Sequence, residues 1–195
     1  MAAVSRHAER VVERVDALDD RELVERAVND DCAAFETIYR RYAQRVFTLL
    51  TRLIGPDRER EDLLQDVFIR LAPALRRFRG DCSLFTLIHR IATRVAIDHM
   101  RRRKPVDVCD QLDEEIDAAL TPVEQTARRE EIMGALALLA QLKPKHRVAF
   151  VLREVMGLSH DEVARIADIH SAAARMRVAA AKRALAKLVA KQGRR

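Results

Sequence analysis

Apolar residues recur at steps of three and four along almost the whole chain, and no stretch alternates as a half-buried strand would. Asp19 with Glu22 three residues later opens a first helix that carries Leu23, Val24, Ala27 and Val28, and Asn29-Asp30-Asp31 interrupts it. A longer stripe follows through Phe35, Ile38, Tyr39, Tyr42, Val46, Leu49, Leu50 and Leu53, until Gly55-Pro56 stops it. Asp57 is expected to begin the next helix, with Leu63, Leu64, Val67, Phe68, Leu71 and Leu75 on its buried side. Pro73 lies inside that pattern and predicts a kink or an end near Ala72. Phe78–Leu84 reads as a loop, and Phe85 to Lys104 as another helix with Leu87, Ile88, Ile91, Val95, Ile97 and Met100 apolar.

Pro105 closes this first half. Between Asp107 and Asp117 there are six acidic residues and no basic one, so residues 105–122 read as an acidic, self-repelling linker. Beyond it, Ile132, Leu136, Leu139 and Leu142 mark a helix stopped by Lys143-Pro144, and Val148, Val151, Leu152 and Val155 mark one ending at Gly157. The division is an arm at 1–18, a helical bundle at 19–104, the linker at 105–122 and a second bundle at 123–195. The fold class expected is all-α, in two small bundles able to move relative to each other.

The last stretch has a particular shape. Ser159 stands where an N-cap belongs, and Glu162 completes a capping box for a short helix with Val163, Ala164 and Ala167 on one side. Asp168-Ile169-His170 breaks the pattern. Ser171 can cap a longer helix in which Ala174, Val178, Ala181, Leu185 and Leu188 recur. Short helix, tight turn and longer helix form a helix-turn-helix, whose second helix commonly enters a DNA major groove. By spacing alone, any three-helix bundle with a solvated basic tail reads the same way.

Charge favours the DNA reading. From Ile169 to the end there are eight Lys and Arg and no Asp or Glu, within a chain of 195 residues and formal charge +6. Cys32, Cys82 and Cys109 are far apart, and neither they nor the histidines have metal-ligand spacing. No nucleophile–base set or glycine-rich phosphate loop is visible, which argues against an enzyme and leaves no catalytic residue or cofactor to name. With no secretory segment and no membrane-length apolar run, a cytoplasmic protein is expected.

Two sets of residues narrow the field. Asp62-Leu-Leu-Gln-Asp-Val-Phe68, then Phe78-Arg-Gly-Asp81, Arg90-Ile-Ala92, Ala96-Ile-Asp98 and Arg101-Arg-Arg resemble the first conserved domain of bacterial sigma factors. Leu142-Lys-Pro-Lys-His-Arg, Leu152-Arg-Glu and Gly157-Leu-Ser-His-Asp-Glu-Val-Ala resemble the second. The chain is most similar to the extracytoplasmic-function group of the sigma-70 family, over roughly residues 20–104 and 125–190. That resemblance implies an alternative sigma factor, a non-catalytic subunit that binds core RNA polymerase, recognises a promoter and helps to open it. It also implies an anti-sigma partner.

The resemblance assigns roles residue by residue. Asp62, Leu63, Gln65, Asp66 and Phe68 match the polymerase contact; the three polar ones fall within about one helical turn and share a face, with Phe68 at its edge or in the core. Phe78, Arg79, Gly80 and Asp81, with Arg90, Arg94, Arg101 and Arg102, match the part that holds the unpaired non-template strand at the minus-ten element. Ser171, Ala172, Ala173, Arg175, Met176, Arg177 and Lys182 match the reader of minus-thirty-five duplex, Arg175 being best placed for a guanine or phosphate. Arg177 lies about two hundred degrees round from Arg175, so it and Lys182 suit phosphates or intramolecular pairs.

The chain also departs from the family pattern. Leu87 stands where a Trp is common, Arg94 where an Asn is common, and Asp168 where a Gly is usual; Ala173 and Arg175 replace Thr and Lys. These changes predict an altered minus-ten preference, and upstream affinity resting on phosphates and DNA shape. Two other readings stay open: a helix-turn-helix regulator acting without polymerase, and a sigma-like regulator deficient in promoter melting.

Overall fold

A computed structural model describes residues 18–102 and 122–192. Residues 1–17 of the N-terminal arm, Arg103, Lys104, Cys109 and the linker up to residue 121 therefore lie outside the described residues. The front bundle is α1 (Asp20–Val28), α2 (Cys32–Ile54), α3 (Arg60–Leu75) and α4 (Leu84–Arg102). The rear bundle is α5 (Pro122–Ala140), α6 (Pro144–Phe150) running on through a π-helical turn at Val151–Val155, α7 (His160–Ala167) and α8 (Ser171–Gln192).

Local chemistry explains most of the boundaries. The Asp19 carboxylate accepts from Glu22 N at 2.8 Å and Glu22 accepts from Asp19 N, so the expected capping box starts α1. Asp31 accepts from Ala33 N and Ala34 N and starts α2. That helix ends at Gly55, whose φ of 83° a side chain would resist. Ile38, Val46, Leu49, Leu50 and Leu53 along α2 have no exposed surface. Each contributes about 1.5–3 kcal/mol by leaving water. α1 is held to α2 through Asp20, which pairs with Arg41 at 2.7 Å and accepts from the Tyr42 hydroxyl. Burial, reinforced by that carboxylate, pushes the Tyr42 phenol above its usual range.

Two expectations are corrected here. α3 begins at Arg60 rather than Asp57, because Asp57 is committed to the turn: one carboxylate oxygen accepts from Glu59 N at 2.9 Å, the other meets His99 Nε2 at 2.9 Å. α3 also runs through Pro73 to Leu75. The bond that Pro73 cannot make would have reached Ile69; both residues are exposed, so the loss falls on the solvent side.

The bundles are docked, not separate. α2 packs against α5, and α4 packs against α6 and α7, so that the buried apolar residues from Leu23 to Ala181 form one cluster. Arg147 of α6, only 7% exposed, bonds to Leu53 O of α2 at 2.7 Å, to Leu142 O at 3.3 Å and to Ala140 O. Burial lowers its pKa to about 10, which leaves it charged at neutral pH. The sequence left the placement of the two halves open; here they lie in a closed arrangement.

α4 also carries a buried histidine. His89 stacks on Phe85 with ring centroids 3.7 Å apart, and its Nδ1 lies 2.8 Å from Phe85 O. Its Nε2 has no hydrogen-bond partner. Burial pushes its pKa down to about 4, so the folded chain keeps it neutral where an unfolded chain would protonate it. Stability should therefore be unaffected above the unfolded pKa near 6.5 and fall as pH drops toward 4, by about 3 kcal/mol in all. Urea unfolding of wild type and His89→Leu across that range should show the variant gaining steadily on wild type as pH falls.

Candidate polymerase and nucleic-acid interface

Three surfaces emerge from these helices. The first lies on α3. Asp62 and Gln65 are exposed and Asp66 half-buried, on one face as their spacing predicts, and Asp66 pairs with Arg70 at 3.3 Å. Ile69, one turn further on, is 67% exposed and adds an apolar spot that the sequence reading passed over. Glu59, Asp62, Leu63, Asp66, His99 and Arg102 line a hollow beside this face. Leu63 and Phe68, assigned to the contact by resemblance, are only 5% and 4% exposed. Phe68 meets Tyr39 edge-on at 4.7 Å, so it supports the surface from within the core. The acidic groups sit in the first turns of α3, where the helix dipole favours negative charge.

The second surface surrounds the Phe78–Leu84 loop. Gly80 has φ of 79°, which lets the chain turn there. Ser83 Oγ accepts from Thr86 N at 3.2 Å and caps α4, a signal present in the sequence but not used. Arg70, Arg77, Arg79 and Arg90, with Phe78, Asp81 and Leu87, line an open hollow of about 580 Å³. Arginines around an apolar floor suit a nucleic-acid strand, with cations for phosphates and flat surfaces for bases. Arg70 on α3 and Arg77 in the turn after it, lining the hollow with Pro73 and Ala74, were not singled out from the sequence.

Not every predicted cation gathers at this hollow. Arg102 lies beside the acidic hollow of α3, and Arg101 is exposed at the end of α4. Arg90 donates to Arg165 O through Nε at 3.2 Å and Nη2 at 2.9 Å, and Arg94 pairs with Asp168 at 3.0 Å. Both acceptors belong to α7 and the turn after it.

The third surface is the helix-turn-helix. The Ser159–Glu162 box forms as expected, with Ser159 Oγ accepting from Glu162 N at 3.2 Å and Glu162 accepting from Ser159 N at 2.7 Å. Those bonds hold the Glu162 carboxyl below its usual range. Asp168 ends α7 in the left-handed conformation, φ 54° and ψ 55°. Ser171 is the first residue of α8, and its hydroxyl accepts from Arg175 at 3.1 Å. Ala172, Arg175 and Met176 are exposed, Met176 at 73%, and Ala173 and Arg177 are half-buried. Lys182, expected to suit a phosphate or an intramolecular pair, makes the latter, with Glu154 of the π-helical turn at 2.8 Å. His146 sits near Lys143 and Arg177, and burial with those cations lowers its pKa.

Among the described residues, no group of three His, Cys, Asp or Glu is placed to hold a metal ion, and no helix is long and apolar enough to cross a membrane.

An acidic helix face, an arginine-lined loop and a basic helix-turn-helix on one chain are the parts of an RNA polymerase sigma factor. Residues 38–106 match the family described as Sigma-70 region 2, and residues 133–185 match Sigma-70, region 4. The chain belongs to the sigma-70 family, in its extracytoplasmic-function group. It is 32% identical to the RNA polymerase sigma-H factor of Pseudomonas aeruginosa, over 86% of this chain and 92% of that one. It is 31% identical to the ECF RNA polymerase sigma-E factor of Escherichia coli, over 86% and 93%. In fold it is similar to CnrH, solved in complex with the cytosolic domain of CnrY, with TM-score 0.67, 22% identity and coverage of 88% and 97%. It is also similar to the sigma factor RpoE of Bartonella quintana, solved with the anti-sigma factor NepR, with TM-score 0.59, 17% identity and coverage of 80% and 96%.

Ser159→Ala removes one half of the capping box that starts α7. It should cost about 1 kcal/mol of unfolding free energy in urea titrations.

Proposed function

We propose that this chain is an alternative sigma factor that joins core RNA polymerase through the Asp62, Gln65 and Asp66 face, holds the unpaired non-template strand at the loop of the front bundle and docks α8 on upstream duplex. The observation that carries this reading is the pairing of both sigma-70 regions, in order, with a surface suited to each task. A regulator acting without polymerase leaves the α3 face and the arginine-lined hollow without a role. The subunit has no chemistry of its own: it positions DNA for the polymerase active site, in the cytoplasm. An anti-sigma protein is a further partner, in keeping with the complexes in which CnrH and the Bartonella RpoE were solved.

The roles divide by chemistry. Carboxylates on α3 suit Arg and Lys of a partner helix, in charge-assisted bonds stronger than neutral ones. Single-stranded bases need a floor and backbone cations, which Leu87, Phe78 and the surrounding arginines supply. Arg175 at the start of α8 is exposed and within reach of a major groove, where a guanine offers two acceptors. With Ala172 and Ala173 beside it, few base-edge bonds are available, and phosphate contacts carry more of the affinity.

Reconstituted run-off transcription with core polymerase on a genomic promoter library tests the whole reading, which fails if no initiation is directed. Reversing the charge at Asp62 and Asp66 together should weaken core binding at least tenfold in gel-filtration or anisotropy titrations, since each loses an attraction and gains a repulsion. Arg175→Ala should lower upstream duplex affinity by about tenfold, within the 1–3 kcal/mol of one bidentate base contact, while core binding stays as in wild type. Loss of both activities in Arg175→Ala would mark a structural residue instead.

A further inference from the structure

Two of the four arginines that α4 offers to a melted strand are already engaged by the other bundle. Arg90 directs Nε and Nη2 at Arg165 O, a last-turn carbonyl of α7 at the negative end of that helix. One turn along α4, Arg94 meets the Asp168 carboxylate at 3.0 Å. Asp168 is in the left-handed conformation that, apart from Gly, Asn and Asp adopt most readily, and it ends α7 with its carboxylate facing α4. Both residues stand at positions where this chain differs from the pattern it otherwise resembles. The contact spans two bundles that also share Arg147 on Leu53 O.

We propose that Arg90 and Arg94, gripping the carbonyl end of α7 and Asp168, form an intramolecular latch that competes with single-stranded DNA for the same guanidinium groups. The assignment of that α4 face to DNA rests on the sigma-factor reading; the contact itself does not. The latch is weak by construction. Arg94 and Asp168 side chains are 61% and 67% exposed, and an exposed pair shifts a two-state balance by only a few-fold. That is the range a phosphate backbone can overcome. When the binding-competent form is a minority, apparent affinity falls in proportion to its population, so loosening the latch by a few-fold tightens strand binding by nearly as much. The outward face of α8, with Arg175 and Met176 exposed, is not covered by this contact, so opening it uncovers no further part of that face for duplex.

The test compares two full-length variants that change net charge equally. Asp168→Asn keeps a residue tolerated in the left-handed region and removes the carboxylate; Asp161→Asn removes an exposed carboxylate in the first turn of α7. Fluorescence anisotropy at low ionic strength would follow binding of a short single-stranded DNA of mixed sequence and, separately, of a mixed-sequence duplex. Asp168→Asn should bind the single strand about three- to fivefold more tightly than Asp161→Asn, as expected of losing one exposed ion pair, and the two should bind duplex alike. Equal single-strand affinities, or a gain that appears equally with duplex, would overturn the latch. Asp168→Gly, which also relieves the backbone, should match Asp168→Asn, and failure to do so likewise counts against it. Run-off transcription by wild type with core polymerase judges the sigma-factor reading separately: its failure alongside a persistent affinity gap would leave the latch standing and remove its promoter role.

Discussion

A buried guanidinium lies where the two halves of this protein meet. Arg147 reaches Leu53 O near the end of α2, and Ala140 O and Leu142 O where α5 gives way to α6. Carbonyls at helix ends have no partner within their own helix, and burying them unmet is costly. One planar cation with several donors satisfies three of them at once, which a Lys could not do with the same geometry. Its Nε finds no partner, so the arrangement leaves one donor unsatisfied in exchange. Around this junction α2 lies against α5 and α4 against α6 and α7, and the apolar core passes between the bundles without a break.

The features legible in the sequence were those decided within one helical turn. Asp19 with Glu22 and Ser159 with Glu162 each formed the reciprocal cap their spacing implies, and Gly55 ended α2 in a conformation suited to glycine. The shared face of Asp62, Gln65 and Asp66 followed from the helical period alone. What escaped depended on partners far along the chain. Asp57 looks like a helix start, yet His99, forty-two residues on, claims one of its oxygens. For Lys182 the sequence left a phosphate and an intramolecular pair open, and only the fold brings Glu154 beside it. Leu63 and Phe68 lie in the matched motif, but a motif does not distinguish the residues that touch a partner from those that shape the surface beneath.

Membership of the sigma-70 family accounts for the order of parts and for the loop, but not for how this chain holds them. Leu87, half-buried on the floor of the hollow, keeps an apolar surface where the family commonly has a larger aromatic one. Arg94 adds a cation where an amide is common, and Asp168 an anion where no side chain is usual. Each looks like a local departure when read alone. Together they neutralise each other across the boundary between bundles.

That pairing has a consequence for how such proteins diversify. Sigma factors of this group look modular, as though a rear bundle could be grafted from one homologue onto the front of another to redirect gene choice. Here the graft would separate a matched couple: a donor lacking the acid would leave Arg94 without this partner, and a recipient lacking the base would inherit Asp168 with no cation facing it. Exchanging either half alone would therefore shift the latch's balance by the few-fold that one exposed pair is worth.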